Sequence, residues 1–201
     1  MAYRLSDIIS GDAAANLLAA ARHAVVIDRP LNRFETIAWG ESGVVDAREA
    51  SVRLLELKRR WFFDQGMRWT CVWVREVGDV VGDHLHLALH VPPQLTRAMS
   101  ARHRLWIATC GGIWTDSTYR SRPIGRDYRH AFDGVRRGAR YEDDLARIIQ
   151  YMLKGVGPIE AATLSLRHEA QGRIVGKRVG ASRNLDQLAR RQWLIAKQGW
   201  P

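Results

Sequence analysis

His84-Leu85-His86-Leu87-Ala88-Leu89-His90-Val91 is the stretch on which the fold turns. Its residues alternate with period two, as in a β-strand, where successive side chains point to opposite faces. Leu85, Leu87, Leu89 and Val91 share one face and can be buried. His84, His86, Ala88 and His90 share the other. Two imidazoles one pleat apart can reach a single metal ion. Packing alone does not call for them, so the strand predicts a sheet with a core face and a chemical face.

Reading backwards, Arg68 to Glu76 is a second β-prone run, joined to the first by the turn-rich Gly78-Asp79 and Gly82-Asp83. A hairpin through Val80 pairs Glu76 with His84, and paired residues lie on one face. Glu76 is therefore a candidate third ligand, provided that no bulge breaks the parity. Two imidazoles and a carboxylate with open positions suit Mn²⁺ or Mg²⁺ holding a phosphate oxygen. His90, roughly 13 Å from His86 at ~3.3 Å per residue, is too far for the same ion and reads as a surface or substrate-contacting residue. Trp69 and Trp73 fall opposite Glu76 and read as core.

Further out, Leu31 to Gly40 reads as a strand, and Asp46 to Phe63 as a helix with an apolar stripe ended by Gly66. Asp12 to Ala21 reads as another helix. Pro92-Pro93 stops the histidine strand and starts a helix from Gln94 to His103, followed by a strand over Leu105 to Thr109. The order β-α-β-β-α-β predicts an α+β fold: a ferredoxin-like antiparallel sheet, with helices on one face and the second face open to a ligand. This domain spans 1–172, with 1–30 as a helical extension. Residues 173–201 read as a basic loop and a helix from Leu185 to Lys197.

The 201 residues include 31 Lys and Arg against 21 Asp and Glu, a formal net charge of +10. A basic chain of this size fits a polyanion partner. The arginines cluster: Arg120, Arg122, Arg126, Arg136 and Arg137 lie in an aperiodic stretch read as loop, Arg147 in the next helix and Arg178 near the C-terminus. These are candidate DNA-contacting residues, with Trp114 or Tyr119 available for base stacking. Cys71 and Cys110 read as reduced core residues. No leader-like or membrane-length apolar run is evident, so a cytoplasmic location is expected and no membrane partner.

The helix from Glu142 to Lys154 carries an apolar stripe of Leu145, Ile148, Ile149 and Met152. Tyr151 and Lys154, at i and i+3, are neighbours beside it, and Arg147 lies at i−4 from Tyr151. A phenol with pKa near ~10 is a poor nucleophile, but nearby cations favour the phenolate. A Tyr-x-x-Lys pair thus suits covalent attack on a metal-bound phosphodiester. On its own the pair reads as core edge and surface; beside the histidine strand it reads as chemistry.

These motifs together resemble the HUH endonucleases, in particular single-tyrosine initiators of rolling-circle replication. His84-Leu85-His86 matches the His-hydrophobic-His motif, and Tyr151-Met152-Leu153-Lys154 the downstream Tyr-x-x-Lys. Leu31 to Ile37 resembles the first-strand motif, and Glu76 the acidic residue that completes the metal site. The resemblance covers about Leu31 to Lys154, in motif order. It implies a nick in single-stranded DNA or an origin hairpin. Tyr151 would keep the 5′ end as a phosphotyrosine, Lys154 would steady phosphate or phenolate, and a divalent metal on Glu76, His84 and His86 would polarise the phosphate. No second tyrosine stands near Tyr151 at helical spacing. No Walker motif is present, so unwinding would fall to a host helicase. A transposase or relaxase shares this chemistry. A non-catalytic single-strand binder and a cupin-like zinc site are the other classes, and their expected aromatic run or spaced glutamate is missing.

Overall fold

The computed structural model describes residues 5–78, 82–125 and 138–198. Its elements in chain order are β1 (Leu5–Ser6), α1 (Gly11–Val26), β2 (Arg33–Ala38), α2 (Ala47–Asp64), β3 (Cys71–Gly78), β4 (Gly82–Leu89), α3 (Thr96–Thr109), β5 (Tyr119–Pro123), α4 (Gly138–Met152), α5 (Pro158–Thr163), β6 (Ile174–Val175), β7 (Val179–Ala181) and α6 (Gln187–Gln198). The α+β class expected from the pattern is what forms. Local chemistry sets the helix starts. The Asp46 side chain accepts the Glu49 N–H at 2.9 Å to open α2, and Ser10 accepts the Ala13 N–H at 3.4 Å to open α1.

A five-stranded sheet in the order β5-β2-β4-β3-β7 forms the centre, and every neighbouring pair is antiparallel. β3 and β4 pair in an unbroken register in which Glu76 faces His84 and Val74 faces His86. β2 lies on the other side of β4, with Thr36 opposite His86 and Phe34 opposite Ala88. Pairing continues outward to β5, so Thr36 faces Arg120 and Phe34 faces Arg122. One sheet face therefore carries Glu76, His84, His86, Thr36, Phe34, Arg120 and Arg122.

Apolar residues pack on both faces, which corrects the expectation of helices on one face only. Leu85, Leu87 and Leu89 bury with Ile37, Cys71, Leu54, Phe62 and Met99, under α2 and α3. On the histidine face, Val72, Val74, Ala88 and Phe34 bury with Leu17, Ala21, Ile148, Ile149 and Met152, under α1 and α4. The open face shrinks to its His84–Glu76 end. The reason lies in the sequence: α4 needs a surface for its stripe, and Val72, Val74 and Ala88 supply one between the leucine-free positions of the sheet.

Two segments take a different state from the one their local pattern predicts. Leu105 to Thr109 is not a strand but the end of α3, whose buried Met99, His103, Trp106 and Ile107 keep helical spacing. A short apolar run does not by itself distinguish strand from helix. The fourth strand comes instead from Tyr119–Pro123, inside the stretch expected as loop. It is an edge strand, and Pro123 closes it where a missing N–H costs little.

The segments near both limits of the described residues are also built into this body. Helix α1, expected as an extension, is a core element. The C-terminal stretch expected as loop supplies β7, which joins the sheet beside β3. Gly180 fits there because a Cβ would meet the Trp73 indole at 2.6 Å. No described helix is long and apolar enough to cross a membrane.

Candidate functional site

Glu76, His84 and His86 sit together where β3 and β4 meet, with solvent exposures of 6%, 8% and 1%. Each imidazole is oriented from behind. His84 Nδ1–H donates to the Gly82 carbonyl at 2.8 Å, and His86 Nδ1 lies 2.9 Å from Thr36 Oγ1. Both bonds use Nδ1 and leave Nε2 for another partner, the arrangement by which outer contacts fix a metal-binding histidine. The two rings stack at 5.9 Å with an interplanar angle of 11°. His86 Nε2 is a buried nitrogen with no hydrogen-bond partner among the described residues, and it stands 3.2 Å from Glu76 Oε1.

The donor types, two anchored imidazoles (one with an orphaned Nε2) and one carboxylate, are those that ligate divalent cations. Among the described residues, no trio of His, Cys, Asp or Glu is gathered around a common point. The Lys154 ammonium instead lies 3.3 Å from Glu76 Oε1. Burial alone would raise the Glu76 carboxyl, but its contacts with His86 and Lys154 outweigh burial and hold it below its usual value. His84 is held below its ordinary value, by burial first and by the charge of His86 second.

Tyr151 comes from the last turn of α4. Its ring meets His86 edge-on at 5.2 Å and Phe34 edge-on at 6.1 Å, and it is 45% exposed. The histidine pair and the tyrosine are therefore neighbours, and the phenol is reachable. Lys154 follows the helix rather than ending it. Helix α4 stops at Met152, and the Lys154 N–H donates to the Tyr151 carbonyl at 3.3 Å in a turn. This turn sets Lys154 Nζ over the Tyr151 ring, 4.6 Å from its centroid. The expectation that cations lower the Tyr151 phenol is corrected. Burial and the Glu76 carboxylate raise it, and Lys154 offsets them only in part.

The candidate DNA contacts divide. Arg120 and Arg122 are exposed and share the histidine face, two strands from His84 and His86. The Arg122 guanidinium lies 5.6 Å over the Phe34 ring and 3.5 Å from Asp144. Arg147 is exposed, and its Nε donates to the Asp143 carbonyl. Arg126, Arg136 and Arg137 lie outside the described residues.

Arg178 is corrected: it is 5% exposed, and its guanidinium donates to the Ser6 and Gly172 carbonyls, so it ties chain segments together. His90 is corrected too, being buried just past β4 with Nδ1 bonded to the Pro30 carbonyl. Tyr119 is not free for stacking on bases. Its hydroxyl donates to Glu35 Oε1, and its ring stacks on His103 at 4.2 Å.

Two features escape a reading of the sequence alone. One is a buried ionic cluster on the leucine face: Lys58 Nζ lies 2.8 Å from Glu35 Oε2, and His103 Nε2 lies 3.1 Å from Glu35 Oε1. A signal exists, since Lys58 continues the buried stripe of α2 after Leu54, and Glu35 alternates onto the same face as Ile37. The other is Glu169, 3.5 Å from Lys154 Nζ, which no local motif announces. No family model, curated protein or solved structure matches the chain.

Proposed function

We propose that this protein is a metal-dependent single-stranded DNA nickase and strand transferase of the HUH type, initiating rolling-circle replication of a plasmid or phage. The observation that carries the reading is the edge-on contact of Tyr151 with His86, within one cluster that also holds Glu76, His84 and Lys154. A ferredoxin-like βαββαβ chain orders its strands as β5-β2-β4-β3 are ordered here, which supports the same reading.

Tyr151 Oη attacks the scissile phosphorus, and the P–O bond to the 3′ oxygen breaks. The phenol gives up one proton and the departing 3′ oxygen takes one up. The 5′ end stays on the protein as a phosphotyrosine, and the 3′-OH is free to prime synthesis. Because the phosphodiester is exchanged rather than hydrolysed, a later 3′-OH can reverse the step and rejoin a strand. A divalent ion on Glu76, His84 and His86 supplies Lewis-acid polarisation of the phosphate when bound. Thr36 and the Gly82 carbonyl hold the imidazoles in orientation. Lys154 offers positive charge beside the phenol and the phosphate. Arg120 and Arg122 line the outer part of the same face, where the flanking strand would run. Transposase or relaxase use would employ the same residues.

Metal dependence tests this directly. Labelled single-stranded oligonucleotides should be nicked in Mn²⁺, spared after chelation and nicked again on Mn²⁺ addition. His86→Ala should lower the rate ~100-fold or more, since losing a ligand costs at least as much as losing an outer contact to one. Nicking that persists in chelator would remove Glu76, His84 and His86 from the mechanism.

A further inference from the structure

The Glu76 oxygen nearest His86 has a second suitor. Lys154 Nζ lies 3.3 Å from Glu76 Oε1, and that same oxygen stands 3.2 Å from His86 Nε2. A cation held by Glu76 and His86 would compete with Lys154 for the negative charge of this carboxylate, whose Oε1 faces both side chains. Two positive charges cannot share one buried carboxylate oxygen without strong repulsion. Glu76 is 8% exposed at its side chain and Lys154 12%, so water screens the conflict poorly.

Lys154 has somewhere else to go. Its Nζ donates to Glu169 Oε1 at 3.5 Å, and Glu169 is 47% exposed at its side chain, outside the histidine cluster. Glu169 is fixed in place by its backbone, because its N–H donates to the Lys154 carbonyl at 2.7 Å. Residues fifteen apart in the chain are thereby held side by side, with Lys154 between an inner and an outer carboxylate.

We propose that Lys154 is a built-in competitor for the metal seat, and that Glu169 is the positioning residue that receives its ammonium when a divalent ion takes Glu76. The inference rests on the metal-site reading above. Metal binding then releases Lys154 from Glu76 and leaves its ammonium on Glu169 alone. Affinity for the ion is set by the difference between these two ion pairs as well as by the ligands themselves. The chain thus couples the arrival of the ion to the location of the ammonium beside Tyr151.

Mn²⁺ titration of chelator-treated full-length protein, followed by calorimetry and by the free-ion paramagnetic resonance signal, tests this without any nuclease assay. Lys154→Met keeps the apolar stem and should tighten Mn²⁺ binding about tenfold or more, and Glu169→Gln should weaken it about threefold to fivefold. The double variant should match Lys154→Met alone, because Glu169 acts only through Lys154. Affinity unchanged by Lys154→Met would overturn the competition while leaving the metal site standing. Equal weakening by Glu169→Gln in both backgrounds would overturn the receiving role and reduce Glu169 to a distant charge. No Mn²⁺ binding by any variant would overturn the metal site and this inference with it. Circular dichroism on each variant checks that the fold is kept.

Discussion

At the scale of single residues, a buried ionic cluster stands on the sheet face away from His84 and His86. Lys58 and Glu35 are fully buried, 2.8 Å apart, with His103 and Tyr119 completing their contacts. Lys58 also lies 4.8 Å over the Trp106 ring. Despite complete burial, the charges of Lys58 and His103 hold the Glu35 carboxyl well below the usual carboxylate range. A pair of this kind adds little net stability over an apolar one, but losing one partner strands the other charge. Lys58→Met is therefore expected to destabilise the fold by about 3–5 kcal/mol, measured by urea denaturation. Lys58→Met combined with Glu35→Gln should recover part of that loss. A Lys58→Met protein as stable as the parent would mean that Glu35 is not ionised in the fold. The same scale shows where reading a sequence stops. Lys58 looks like one more basic residue beside Arg59 and Arg60, since nothing local announces that a partner arrives from a strand more than twenty residues earlier.

At the scale of elements, the legible parts were those governed by local periodicity. The alternation of β4 and the parity of the β3–β4 hairpin place Glu76 opposite His84, and those are backbone rules. Tyr151 beside Lys154 was legible as a spacing, although a turn rather than a longer helix delivers it. Segments whose state is decided by distant partners carry no such local signal. Tyr119–Pro123 becomes a strand because β2 offers an edge, and Leu105 to Thr109 stays helical because α3 continues to bury Trp106 and Ile107. Exposure of arginines was equally illegible, and β5 and the C-terminal segment now separate them. Arg120→Gln with Arg122→Gln should reduce the salt slope of single-strand binding by about 0.7 for each phosphate no longer neutralised. Arg178→Met should leave that slope unchanged and lower thermal stability, because its bonds to Ser6 and Gly172 are internal. A slope that responds to Arg178 and not to the β5 pair would move the DNA path off the histidine face.

At the scale of the whole molecule, both sheet faces are in use. The leucine face is sealed by α2 and α3, and most of the histidine face by α1 and α4. The Glu76, His84 and His86 cluster lies at the end of the sheet where α4 terminates, and there Tyr151 is half exposed beside buried imidazoles. This division explains why α4 must carry both an apolar stripe and the tyrosine. Its packing on Val72, Val74 and Ala88 delivers the phenol to His86. The proposed function requires above all that this phenol bonds to DNA. Mass spectrometry of peptides, after the protein is incubated with single-stranded oligonucleotides and Mn²⁺, detects that bond. A nucleotide adduct is expected on the peptide containing Tyr151, absent in Tyr151→Phe while DNA binding persists. An adduct that survives Tyr151→Phe, or maps to another residue, would contradict the proposed chemistry.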